Sequence, residues 1–205
     1  PKRLDDYQIV AFPGGFSYGD DTGSGNALAW KIRNNLGIER FTEDNRLVIG
    51  ICNGFQVLVN LGLLPAVGGK YGHRQVALNH NDSARYLDRW VDLKVLGKSP
   101  WLENIKTISL PIAHGEGKYI GKDSNVAFKY IKGEICKFQN LEKNPNGSNY
   151  DIAGVLAYNG RVLGMMPHPE RAMFACQNPM WFMDKKVSKE GKGLQIFKNA
   201  IRYYE

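Results

Sequence analysis

Residues 46–65 read RLVIGICNGFQVLVNLGLLP. The first six are a short β-branched run, and NGFQVLVNLGLLP is apolar at helical period until Gly62 and Pro65 stop it. Strand, turn and helix make a βα unit, the building block of an α/β domain. The turn between them is Cys52, with Gly50 and Gly54 on either side. A free cysteine is ordinarily a small buried hydrophobe, so a sharp corner calls for another reason. Gly-x-Cys-x-Gly at a strand-to-helix turn copies the nucleophile elbow of hydrolases, with sulfur in place of a serine oxygen. Glycines at its flanks remove β-carbons that would crowd the turn. A helix starting near Asn53 aims free N–H groups at the thiol, which favours thiolate near neutral pH and can hold the oxyanion of an attacked carbonyl. The alternative is a core cysteine at a helix start.

Upstream, Gln8 to Phe12 is an apolar run ending in Pro-Gly-Gly, which predicts a strand delivering a loop. FPGGFSYGD (12–20) offers N–H groups at Gly14, Gly15 and Phe16 to complete an oxyanion hole, or is an ordinary glycine turn. In GNALAWKIRNNLG (25–37), Leu28, Ile32 and Leu36 recur every four residues, one face of a helix closed by Gly37. Downstream, residues 89–96, 106–113, 134–138, 151–158 and 161–167 read as strands separated by turn chemistry such as NPNGSN and YNGR. Asn159-Gly160 is the strongest hairpin signal. Leu194, Phe197 and Ile201 form one stripe of a terminal helix that packs back on the sheet. The pattern predicts an open, mixed, mostly parallel sheet flanked by helices, with an antiparallel excursion. At 205 residues and 43% hydrophobic composition, one domain over 1–205 closes one core.

A base for Cys52 must come from His73, His80, His114 or His168. His168 lies in MMPHPER, where each residue before a proline is pushed toward extended backbone, so His168 and Glu170 share a side. A carboxylate beside imidazole fixes its tautomer and supports its protonated form. Cys52, His168 and Glu170 would then all sit at strand C-terminal ends, where open α/β sheets bind ligands. The alternative is a rigid proline turn with a surface histidine and glutamate. AHGEGKY (113–119) joins a strand to a loop through Gly115 and Gly117 and is read as exposing His114 and Glu116 to whatever enters.

Composition removes other classes. Apolar stretches fall short of the ~18 residues of a membrane span, and no secretory start is visible, so the chain reads as cytoplasmic. Cys52, Cys136 and Cys176 are widely spaced and odd in number, which predicts thiols rather than disulfides or a metal site. The net charge of +7 raises nucleic acid as a partner. However, Lys185, Lys186, Lys189, Lys192 and Lys198 are interrupted by glycine and acids, which fits a solvated face or a docking surface for an acidic protein. Neither GxxxxGK[ST] nor GxGxxG occurs, so any ATP chemistry comes from a partner.

Taken in order, FPGGFSYGD, GICNGFQVL, PIAHGEGKY, NPNGS and GMMPHPER resemble the class I (triad) glutamine amidotransferases, and within them the glutaminase subunits of phosphoribosylformylglycinamidine synthases. Relatives serving other synthetases usually differ where Asn53 and Phe55 stand. The resemblance implies a flavodoxin-like fold in which Cys52 attacks the side-chain amide of glutamine. His168 would protonate the departing ammonia and then activate water, with Glu170 orienting it. Gly15 and Asn53 would supply oxyanion N–H groups beside Gly14, while Gln56, His114, Gly115 and Glu116 would line the glutamine pocket. No cofactor is implied for this chain. Ammonia would pass to a synthetase subunit carrying ATP and Mg, with a small third subunit bridging the two. Family members also begin with a strand, a helix and a second strand before the segment matching Gln8 to Phe12. Their absence here implies an N-terminally truncated domain with an exposed edge strand. A domain of the long single-chain synthase, or a non-catalytic docking module of the same fold, are the alternatives.

Overall fold

The computed structural model describes residues 3–35, 37–183 and 189–205. Strand and helix alternate first: β1 (Ile9–Phe12), α1 (Asn26–Asn35), α2 (Ile38–Glu43), β2 (Leu47–Ile51) and α3 (Asn53–Asn60). Strands follow, β3 (Ala77–His80), β4 (Leu87–Val95), β5 (Thr107–His114), β6 (Glu116–Ile120) and β7 (Val126–Ile131), then α4 (Glu134–Phe138). The last elements are β8 (Ile152–Ala157), β9 (Val162–Met165) and α5 (Leu194–Arg202). Among the described residues no helix is long and apolar enough to cross a membrane.

Seven strands form one mixed sheet in the order β1-β2-β9-β8-β7-β4-β5, and β3 pairs with β6 in a separate ribbon. The α/β architecture with helices flanking a mixed sheet matches the expectation. The expected predominance of parallel pairing does not hold. β1–β2 and β2–β9 run parallel, whereas β9–β8, β8–β7, β7–β4 and β4–β5 are antiparallel. Parallel neighbours need a long crossover, which α1 and α2 supply between β1 and β2; β4–β5 and β8–β9 are joined as hairpins instead. The Asn159-Gly160 signal marks one of these hairpins, with Ala157 opposite Val162. β2 is buried at all five positions, which is why it reads as an unbroken apolar run rather than an alternating one.

Two expectations about elements are corrected. Residues 134–138 form α4, not a strand. Asp92 Oδ2 accepts the Cys136 backbone N–H at 2.8 Å, satisfying a donor of the first helical turn, and this tertiary cap overrides strand propensity. The terminal helix packs against the turns at 100–102 and 169–172 with Ile196, Asn199 and Ala200 buried, while Ile201 is exposed. Asn199 takes the inner face because its Nδ2 donates to the carbonyls of Trp101 (3.1 Å) and Glu103 (2.8 Å). Of the lysines read as a solvated or docking face, Lys185 and Lys186 lie outside the described residues, and Lys198 pairs with Glu190 at 2.6 Å.

The register aligns the ends that matter. Phe12 lies opposite Gly50, and Ile51 opposite Met165, so β1, β2 and β9 finish together. β5, at the far edge of the sheet, nevertheless reaches the same place: its Pro111 carbonyl accepts the His168 backbone N–H at 2.8 Å. The sheet therefore curls until its last strand covers the ends of its first three.

Candidate active site

β2 hands over to α3 through Cys52, which holds φ 52° and ψ −107°. That is strained backbone for a residue with a β-carbon, of the kind held in place only where the surroundings demand it. The demand comes from packing. A β-carbon on Gly54 would stand 1.9 Å from the Phe12 carbonyl oxygen, and one on Gly50 would stand 2.6 Å from the Gly54 carbonyl oxygen. The Cys52 N–H is anchored to the Met165 carbonyl at 2.8 Å. The elbow read from the sequence is thus present, for the reason the glycines suggested.

The charge state expected of its sulfur is not. The backbone N–H groups of Asn53 and Gly15 point at the sulfur and favour thiolate, but burial dominates and, with Glu170 and Asp20 nearby, pushes the thiol up to about 12. Cys52 rests as a thiol with Sγ 3.7 Å from the Ala113 carbonyl oxygen. Nucleophilicity must therefore come from a base rather than from the helix terminus.

His168 stands where such a base is needed. Its Nδ1 lies 2.5 Å from Glu170 Oε1, and its buried Nε2 has no protein partner. A β-carbon on Gly14 would fall 2.7 Å from His168 Cε1 and 3.4 Å from Cys52 Cβ, so the imidazole and the cysteine flank the same glycine. Both line a cavity of about 190 Å³, together with Gly15, Phe16, Asp20, Gln56, His114, Gly115 and Glu116. Asn53 braces it from below: its Nδ2 donates to Gln56 Oε1 (3.1 Å), and Gln56 Nε2 donates to the Glu116 carbonyl (2.7 Å).

The 113–119 stretch differs from expectation. It is not a loop: β5 ends at His114 and β6 begins at Glu116. His114 is 2% exposed rather than open to solvent. Both Asn81 Nδ2 hydrogens are taken, by the carbonyls of Arg85 and His114 at 2.8 Å each, so Asn81 Oδ1 accepts from His114 Nδ1 at 3.0 Å. The neutral ring then carries its proton on Nδ1 and turns an unpartnered acceptor, Nε2, into the buried wall. Burial, with the neighbouring His168 charge, lowers its pKa to about 4. Five residues that line the cavity escaped the sequence reading: Asp20, Ser24, Tyr86, Ala113 and Arg171. Tyr86 sits 6.3 Å, ring to ring, from Phe16 at the mouth, and Asp20 closes the FPGGFSYGD stretch as its one carboxylate. His73 and His80 do not line this cavity, and among the described residues no cluster of three or more His, Cys, Asp or Glu is placed to hold a metal.

A buried thiol, an imidazole with a free nitrogen and a carboxylate behind it, and two N–H groups at the sulfur form a constellation for acyl transfer. Comparison with known proteins identifies the family. Residues 1–204 match the model of the CobB/CobQ-like glutamine amidotransferase domain. The phosphoribosylformylglycinamidine synthase subunit PurQ of Methanococcus maripaludis is 41% identical, over 99% of this chain and 84% of the relative. The protein of the same name from Dehalococcoides mccartyi is also 41% identical, over 99% and 82%. The solved structure of PurLQS from Thermotoga maritima aligns with a TM-score of 0.77 at 35% identity, covering 100% of this chain and 83% of that one. On sequence and fold alike, the chain belongs to the CobB/CobQ-like glutamine amidotransferase family.

Proposed function

We propose that this chain is the glutaminase subunit of a phosphoribosylformylglycinamidine synthase, hydrolysing glutamine to glutamate and ammonia through a thioester on Cys52. The carrying observation is the shared cavity of Cys52 and His168, with the Gly15 and Asn53 N–H groups at the sulfur. His168 Nε2 takes the thiol proton as Sγ attacks the amide carbon, and the two N–H groups hold the oxyanion. Glu170 orients the imidazole and stabilises its protonated form. His168 then protonates the departing nitrogen, the C–N bond breaks, and ammonia leaves a thioester. The same Nε2 next activates water, whose attack breaks the C–S bond and frees glutamate. Because burial keeps Cys52 protonated at rest, proton transfer accompanies attack, which guards the thiol from stray electrophiles.

Ammonia in water is mostly ammonium and no nucleophile, so it must be handed directly to the enzyme that uses it. A synthetase subunit carrying ATP and Mg fits that need, joined through a small bridging subunit in the cytoplasm; of this, the names of the relatives, a synthase subunit and PurLQS, support the membership of a multi-subunit synthase. Incubating the chain with 6-diazo-5-oxo-L-norleucine should place one adduct on Cys52 by mass spectrometry. Adding the synthetase should raise glutamate release from glutamine. A folded chain that forms no adduct on Cys52 would contradict the reading.

A further inference from the structure

Just past β3, Asn81 is 3% exposed and does not line the active-site cavity. Every hydrogen-bonding group it owns is nevertheless engaged around that cavity. Its backbone N–H donates to the Gly115 carbonyl at 2.9 Å, and its carbonyl accepts from the Ala84 N–H at 2.8 Å. Its Nδ2 donates to the carbonyls of His114 and Arg85, and its Oδ1 accepts from His114 Nδ1. His114 and Gly115 line the cavity, and so does Tyr86, the residue after Arg85. We infer that Asn81 is a positioning residue for glutamine hydrolysis, holding the His114–Gly115 wall and the Tyr86 lip at the spacing that admits the substrate. The inference rests on the glutaminase reading and adds a residue that acts through others.

The wall needs holding because its own side chains cannot do it. A β-carbon on Gly115 would meet nothing nearer than Tyr86, at 3.9 Å, so packing does not fix this glycine and hydrogen bonds must restrain its backbone freedom. Direction matters as much as distance. In a trans peptide the Gly115 N–H points opposite to the His114 carbonyl, so the bond from Asn81 Nδ2 turns that N–H to the other side. Along extended β5 this is the side on which the Ala113 carbonyl meets Cys52 Sγ at 3.7 Å. Asparagine suits the place, because its side chain brings one acceptor and two donors, whereas serine brings a single donor and alanine none. The clamp is itself anchored. Asp82 N–H donates to the Asn146 carbonyl at 3.2 Å, and Asn146 Oδ1 is held by the Ser148 N–H (3.1 Å) and hydroxyl (2.7 Å). The NPNGS stretch thus seats the turn that carries Asn81.

Glutamine hydrolysis with the synthetase present tests this, beside iodoacetamide labelling of Cys52 in the full chain. Asn81→Ala should raise the KM for glutamine roughly tenfold or more, as the loss of several hydrogen bonds implies, and keep kcat within about threefold. The reacting groups are spared because Cys52 and His168 are anchored elsewhere, to the Met165 and Pro111 carbonyls. Iodoacetamide labelling, which needs no wall, should stay within about twofold of wild type. Asn199→Ala is the comparison for a merely loosened structure. Asn199 is also 3% exposed and bonds two carbonyls through its Nδ2, but far from the cavity, so its loss should lower the urea midpoint without moving KM. Asn81→Ser, whose hydroxyl cannot bridge the same partners, should raise KM in the same direction and decides the matter if Asn81→Ala does not fold. An unchanged KM in the folded variants, a loss confined to kcat, or an equal rise in KM for Asn199→Ala would overturn the positioning role alone. A wild-type chain that releases no glutamate from glutamine would overturn the glutaminase reading and the positioning role with it.

Discussion

Cys52 and Cys136 are both buried near the start of a helix, and in both the sulfur lies 3.7 Å from a backbone carbonyl oxygen, Ala113 for one and Ile131 for the other. Burial pushes both thiols above their ordinary range. By burial and pKa direction they are hard to separate. What separates them is what each sulfur faces. Cys52 is the hinge of a left-handed turn and looks into a cavity with His168 and two N–H groups, whereas Cys136 sits inside α4 and lines no part of that cavity. The environment of Cys136 is Asp92, whose carboxylate also accepts from the Ser109 hydroxyl at 2.7 Å. A shifted thiol is thus a statement about burial; reactivity is a statement about geometry.

The largest effect that can break this contrast is on activity. Cys52→Ala should reduce glutamine hydrolysis by at least roughly a thousandfold, as expected when a covalent nucleophile is removed. Cys136→Ala should leave kcat/KM within about twofold, because truncating a core side chain away from the reacting atoms costs stability rather than chemistry. Steady-state glutamate release with the synthetase present reads both. Comparable losses in the two variants would erase the distinction.

Much of the site could be read from the chain because its determinants are local. Gly50, Cys52 and Gly54 encode the elbow within five residues, and the pairing of His168 with Glu170 is local too, although it is a proline-started helical turn over 169–172, not the extended backbone expected, that sets Glu170 beside the ring. What escaped depends on distant partners. His114 read as exposed because its burial requires β5 to curl back over the ends of β1, β2 and β9. The 134–138 segment read as a strand because its cap, Asp92, comes from 44 residues before Cys136. The sign of the Cys52 shift balances a local helix terminus against burial by the whole fold, and only the first is written in the sequence. Asp20 went unnoticed because a left-handed residue, φ 57°, turns it back toward Asn53. β7 is a different failure: five of its six residues, VAFKYI, are apolar, yet its burial is irregular, with Ala127 and Phe128 both buried and the register to β8 shifting at Phe128, so no clean alternation marked it.

The second way to sharpen the contrast uses acid. The Cys52 corner holds His114 neutral, with a pKa lowered from 6.5 to about 4. The unfolded chain therefore binds this proton first as pH falls. Stability from the depressed group is full above about pH 6.5 and is lost progressively toward pH 4, on the order of 3 kcal/mol in all. Urea unfolding across this window should show a steeper loss for wild type than for His114→Gln, even though the variant starts lower by losing its bond to Asn81. The Cys136 corner contains no histidine within its hydrogen bonds, so Cys136→Ala should keep the wild-type slope. Parallel slopes for wild type and His114→Gln would remove His114 as the cause.

The smallest effect is the most discriminating, because it isolates backbone from sulfur. Comparing Ala with Gly at each cysteine position removes Sγ from both members of the pair. At position 52 the backbone sits at φ 52°, where an L side chain is strained and glycine is not, so Cys52→Gly should be more stable than Cys52→Ala by about 1 kcal/mol. At position 136 the backbone is helical, where glycine carries its usual entropic cost, so Cys136→Gly should be less stable than Cys136→Ala by about 1 kcal/mol. Opposite signs in urea midpoints would locate the strain at the elbow itself. If glycine were the worse residue at both positions, the strained corner could not be what sets Cys52 apart, and the cavity with its imidazole would have to account for the difference alone.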